Sequence, residues 1–196
     1  MSNQTKSLTC FDETWARKWL EVNGWLESVA GEVDFSKAAT AISLWASKPP
    51  IGLLITGRAG VGKTMLCQIL FEKLRTEKVR IDCSDNSSVD FLVHESDAGS
   101  NGGVYNSTVD DYMNRTVMID DLGTEEIRTS YGNQLDRVGK FIVRYHQRGT
   151  GRLMMTTNLT GSEMMSRYGA RVVDRIMDKC VVLALTGKSK RQVNVI

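Results

Sequence analysis

The residues 57–64, Gly57-Arg58-Ala59-Gly60-Val61-Gly62-Lys63-Thr64, combine glycines, an ammonium and a hydroxyl at the spacing of a phosphate-binding loop. Gly57 and Gly62 let the backbone turn so that successive N–H groups converge on phosphate oxygens, and a helix starting behind them presents its positive end to the same anion. Lys63 is expected to reach the terminal phosphates as a point charge, and the Thr64 hydroxyl to ligate magnesium. The cofactors this loop implies are ATP and Mg2+.

A second group, Val117-Met118-Ile119-Asp120-Asp121-Leu122-Gly123, is an apolar run that delivers two carboxylates at its end, where ligands of parallel sheets collect. Asp120 is expected to hold magnesium through water, and Asp121 to orient or deprotonate the attacking water. In isolation such a pair serves as a helix cap or solvated turn; its place downstream of a phosphate loop favours the chemical role. A third group, Leu153-Met154-Met155-Thr156-Thr157-Asn158, ends another apolar run in an amide suited to hold the water or the γ-phosphate. On a helix, Arg171-Val172-Val173-Asp174-Arg175-Ile176 places two guanidinium groups one turn apart on one face. Ion pairs with Asp174, Asp178 or Glu163 are the ordinary reading of those arginines.

These groups need elements to position them. An apolar run, 51–56, leads into the glycine loop, and 63–75 has helical spacing through Met65, Leu66, Ile69, Leu70 and Leu74. Further strands are predicted over 79–83, 116–119, 152–156 and 180–185, with helices around 89–95, 134–147 and 164–177 between them. Such alternation means a parallel sheet with helices on both faces. Upstream, Phe11, Trp15, Trp19, Val22, Leu26 and Val29 recur at steps of three and four, a helical stripe interrupted by Gly24. Asp34 is the expected N-cap of a second helix, through Phe35, Ala38, Ala39, Ile42 and Trp45, which Pro49-Pro50 closes. The segment 97–108, rich in Gly, Ser and Asn, reads as a loop. There is no internal repeat.

The whole chain sets bounds on these readings. Its 196 residues hold one core of ordinary size. A hydrophobic content of 41% with 24% charged residues is the balance of a globular chain, and a net charge of +2 leaves any nucleic-acid site to a local patch. Cys10, Cys67, Cys83 and Cys180 are scattered without a C-x-x-C pair, as buried thiols in a reducing compartment would be. No run approaches the about 18 apolar residues of a membrane span, and residues 1–9 are polar, so a cytoplasmic protein without membrane contact is expected.

Taken together, the motifs resemble the AAA+ ATPases, and within them the DnaC-type helicase loaders and the IstB-type transposition helpers. The resemblance runs from about Phe35 to Arg191. It rests on Gly52-Leu53-Leu54 before the loop, Ile119 to Glu125, Thr156-Thr157-Asn158-Leu159, Tyr168 to Arg175, and Gly187-Lys188-Ser189-Lys190-Arg191. It implies a three-layer α/β P-loop NTPase fold with a five-stranded, mainly parallel sheet and no separate C-terminal lid. A short helical extension over 1–34 would precede an ATPase domain over 35–196. It makes Asn158 the sensor-1 residue and Arg175 the arginine finger acting on a neighbouring subunit, with Arg171 as the alternative and Arg191 in place of a sensor-2 arginine. Partners implied are a replicative helicase, single-stranded DNA and further copies of the chain in a ring or open helix; a transposase is the alternative client. A small-molecule P-loop kinase is a competitor of another class, and a non-hydrolysing assembly module a third. The Trp15, Trp19, Val22 stripe is either a helicase-docking face or core packing. Arg128, Arg137, Lys140, Arg144 and Arg148, with Tyr131 for stacking, either line a single-strand path or form a solvated face.

Overall fold

A computed structural model describes residues 12–47, 52–74, 76–90, 112–130 and 133–190. The elements begin with α1 (Glu13–Val22), α2 (Glu27–Ala30) and α3 (Glu32–Ser47). Then come β1 (Gly52–Gly57), α4 (Lys63–Lys73), β2 (Lys78–Asp82), α5 (Asn86–Asp90) and β3 (Thr116–Leu122). A two-stranded antiparallel hairpin follows, β4 (Arg128–Ser130) and β5 (Asn133–Leu135). The chain continues with α6 (Arg137–Arg148), β6 (Leu153–Thr157), α7 (Gly161–Lys179) and β7 (Cys180–Leu185).

The main sheet has the order β2-β3-β6-β1-β7, and every pairing in it is parallel, where the sequence implied only a mainly parallel sheet. Alternation along the buried strands assigns residues to two cores. Leu53, Ile55, Met118, Met154 and Leu183 face α3 and α4, with Ala38, Ile42, Leu66 and Leu70 opposite. Leu54, Val117, Ile119 and Met155 face α6 and α7, with Phe141, Ile142, Tyr168 and Ile176 opposite. Both faces of the sheet are thus covered, giving the expected three layers. The parallel strands all end on one side, which puts the phosphate loop, the acidic pair and Asn158 at a common edge.

Four local expectations change. The upstream helical stripe is two helices, because Gly24 takes a positive φ of 83° between them. Asp34 is not an N-cap: α3 begins at Glu32, and the Asp34 carboxylate instead accepts hydrogen bonds from the Thr186 N–H (2.9 Å), the Thr186 hydroxyl (3.0 Å) and the Gly187 N–H (2.6 Å). Residues 128–130 and 133–135, without apolar alternation, pair as two unexpected strands, so the helix expected from 134 begins only at Arg137. The helix α7 is kinked at Gly169. Of the aromatic stripe, Trp15 and Trp19 are half-buried against the core through α3, beside fully buried Ala16 and Leu20, whereas Val22 is 77% exposed. The stripe therefore packs chiefly inward. The expected division after residue 34 falls inside α3, and Trp25 and Leu20 share one core with Phe35 and Leu66.

Candidate nucleotide site

The phosphate loop leaves β1 at Gly57, whose φ is 148° and where a Cβ would stand 2.4 Å from the Leu185 carbonyl oxygen. Only glycine fits that crossing of β1 and β7. Arg58 and Ala59 are exposed, Val61 is anchored in the core, and Gly62, with φ 96°, turns the chain into the N-terminus of α4. The α4 helix begins at Lys63, so the first N–H groups of α4 face the loop. Lys63 is only 5% exposed; its Nζ donates to the Arg58 carbonyl oxygen at 2.9 Å and to Asn158 Oδ1 at 2.6 Å. Thr64 donates its hydroxyl to Asp120 Oδ1 at 3.0 Å.

Asp120 is 2% exposed and its carboxylate is fully engaged. Besides Thr64, Oδ1 accepts the Thr156 hydroxyl at 2.6 Å, and Oδ2 accepts Arg80 Nη2 at 2.8 Å. The β3–β6 register shifts between Ile119 and Leu122, and Asp121 takes a positive φ of 52°, rare for a residue with a side chain. That backbone is held: the Asp121 N–H donates to Thr156 Oγ1 at 2.9 Å, and its carbonyl oxygen accepts from the Thr124 N–H and hydroxyl. The irregularity brings Asp121 to the cleft rather than into the sheet. A cleft of about 260 Å³ results, with Gly60, Lys63, Thr64, Asp121, Asn158 and Lys190 in its walls.

These groups suit a magnesium nucleotide. Three positive-φ glycines, Gly57, Gly60 and Gly62, form a backbone cradle, and Thr64 and Asp120 offer the oxygen donors a hard cation prefers. Phosphate loop, Asp120, Asp121 and Asn158 are brought together as the sequence predicted. Arg175 is not in this cleft. It lies near the end of α7, which delivers the chain to Cys180, paired with Gly52 at the sheet edge opposite the loop. Arg171, one turn earlier, is exposed and lines a groove of about 590 Å³ between α6 and α7 with Lys140, Arg144 and Arg148. Arg191, Tyr131 and the Arg128 side chain lie outside the described residues.

Sequence reasoning missed two cations at the site and one acid behind it. Arg80 reaches Asp120 from the neighbouring strand, a relation visible only through sheet register. Lys190 donates its N–H to the Gly60 carbonyl oxygen at 2.8 Å and sets its ammonium 5.3 Å over the Trp25 ring, where burial lowers its pKa and Asp34 opposes that shift. Glu125, buried, accepts the Gly123 N–H at 2.9 Å and the Tyr168 hydroxyl and faces Arg167 at 3.4 Å, fastening the acidic turn to α7. The motif Ile119 to Glu125 contained Glu125 without showing that role.

No family model matches the chain, and no curated protein matches it by sequence. Solved structures do. A candidate primosome component from Streptococcus pyogenes serotype M3 superposes with a TM-score of 0.53 at 20% identity, over 81% of this chain and 82% of that one. DnaI superposes with a TM-score of 0.48 at 20% identity, over 71% of this chain and 75% of that one. In fold, this chain is a three-layer α/β protein with an all-parallel five-stranded sheet and a glycine loop between β1 and α4, an architecture it shares with that primosome component.

Proposed function

We propose that the protein is an AAA+ ATPase that binds single-stranded DNA and loads or remodels a replicative helicase, in the cytoplasm. The observation that carries the ATPase reading is the convergence of Lys63, Thr64, Asp120 and Asn158 on one another at the strand tips. Bound magnesium would supply a positive charge that offsets the negative charge of the phosphates. Lys63, held by Asn158 and the Arg58 carbonyl, would exchange those partners for phosphate oxygens. Thr64 and Asp120 would hold the ion, Asp120 through water. Asp121 orients the attacking water or takes its proton, and Asn158 fixes the water or the γ-phosphate.

Arg175 serves as a finger for the next subunit, so turnover depends on assembly; its distance from its own cleft supports a role in trans. The groove of Lys140, Arg144, Arg148 and Arg171 gives single-stranded DNA a cationic path for its backbone. The replicative client is favoured by the primosome description of the fold-sharing protein.

The test is ATP turnover with and without single-stranded DNA, for wild type and Arg175→Ala, each then mixed with Lys63→Ala chains. Rescue in the mixture supports a finger in trans, and indifference to Arg175 overturns it. Phosphorylation of added nucleoside monophosphates would point to the kinase class. Capture of a transposase in preference to a replicative helicase would change the client.

A further inference from the structure

The carboxylate that would hold the metal already has a cation on it. Arg80 is the central residue of β2 and pairs with Met118, two residues before Asp120 on β3. The side chains of Arg80 and Asp120 therefore leave the sheet on one face. Arg80 Nη2 lies 2.8 Å from Asp120 Oδ2; its other acidic neighbour, Asp82, is at 3.9 Å. The arginine side chain is 41% exposed and that of Asp120 3%. A desolvated carboxylate is thus balanced from the solvent side by a guanidinium, while two hydroxyls occupy its other oxygen.

This arrangement has two opposed consequences for a magnesium ion. The buried carboxylate is given a counter-charge 2.8 Å away and is fixed in orientation, where a buried charge without a partner would be costly. The same guanidinium offsets the negative charge that draws the ion in, and two cations a few ångströms apart repel. Asp120 is held ready, at the cost of weaker attraction for the metal.

We propose that Arg80 is a positioning residue that acts as the resident counter-ion of Asp120 and thereby sets how much magnesium the protein needs in order to bind ATP. The proposal rests on the reading of this cleft as a magnesium-nucleotide site. It adds a residue that none of the sequence motifs contains.

The experiment is calorimetric titration of ATP at a series of Mg2+ concentrations, for wild type, Arg80→Ala, Arg80→Gln and Arg80→Lys. Loss of the guanidinium charge in Arg80→Ala is expected to lower the Mg2+ concentration for half-maximal ATP binding about three- to tenfold. Arg80→Gln keeps an amide donor without the charge and should shift the same way. Arg80→Lys restores the charge and should stay within about twofold of wild type. Added salt should shrink the difference, since the arginine is partly exposed. Should Arg80→Ala fail to fold, Arg80→Gln decides. An unchanged or increased magnesium requirement in the folded neutral variants overturns the proposal while wild type still binds ATP. Failure of wild type to bind Mg-ATP overturns the underlying reading instead.

Discussion

At the scale of single residues, the cleft is defined by polar groups that satisfy one another and would have to exchange partners for a nucleotide to bind. The Lys63–Asn158 bond is the clearest case. Asn158→Ala frees the ammonium without removing it, so ATP affinity should stay within about threefold while turnover falls about 10- to 100-fold. Equilibrium binding beside steady-state hydrolysis separates the two effects. His146, away from the cleft, gives a pH prediction. Burial, then the nearby Lys179 charge, lowers its pKa to about 4, with Asp178 opposing and Arg175 adding to the depression. The folded form therefore resists a proton that the unfolded chain accepts at about pH 6.5. Stability should fall as pH drops from about 6.5 to about 4, by about 1–2 kcal/mol after solvent screening is allowed for. Urea unfolding of wild type and His146→Gln across that window checks the sign: the variant should show a shallower slope.

At the scale of elements, caps and kinks decide how the arginine-bearing helix is presented. Thr160 and Glu163 form a reciprocal capping box at the start of α7, with the Thr160 N–H donating to Glu163 at 2.7 Å. Thr160→Ala should cost about 1 kcal/mol in chemical unfolding. Most elements were legible because their apolar runs are continuous: β7 was predicted over its full length, and β1, β3 and β6 within a few residues. The hairpin strands were not, since residues 128–130 and 133–135 carry no apolar alternation. Lys63, Thr64, Asp120 and Asn158 were legible because each ends or begins an element whose pattern is strong. Arg80 and Lys190 were not, because register with β3 brings the first to the site and a strap after β7 the second. Asp34 was misread for a similar reason: a carboxylate near a helix start looks like a cap until its partners at Thr186 and Gly187 are known.

At the scale of the whole molecule, those partners tie the upstream helices to the segment that closes the cleft. Asp34→Ala would leave the Thr186 and Gly187 N–H groups without their acceptor, and should cost about 3 kcal/mol. Asp34→Asn, which can still accept, should cost about half as much in the same thermal or urea melts. Because Ala16, Leu20 and Trp25 belong to the core that also holds Leu53 and Leu66, chains starting at Phe35 are expected to lose cooperative unfolding rather than yield an independent ATPase domain. A cooperative transition in such a fragment would instead support the division of the chain after residue 34.

Trp25 turns this coupling into something visible. Its indole stacks on Phe35 beneath the Lys190 ammonium, and its ring nitrogen, buried and unpartnered among the described residues, would lie 3.8 Å from a methyl group on Gly62. Any anion that draws Lys190 off the ring changes the field felt by that chromophore. Emission from Trp25 is therefore expected to report an anion bound at that cleft, a signal that Trp25→Phe would silence while the remaining tryptophans keep emitting.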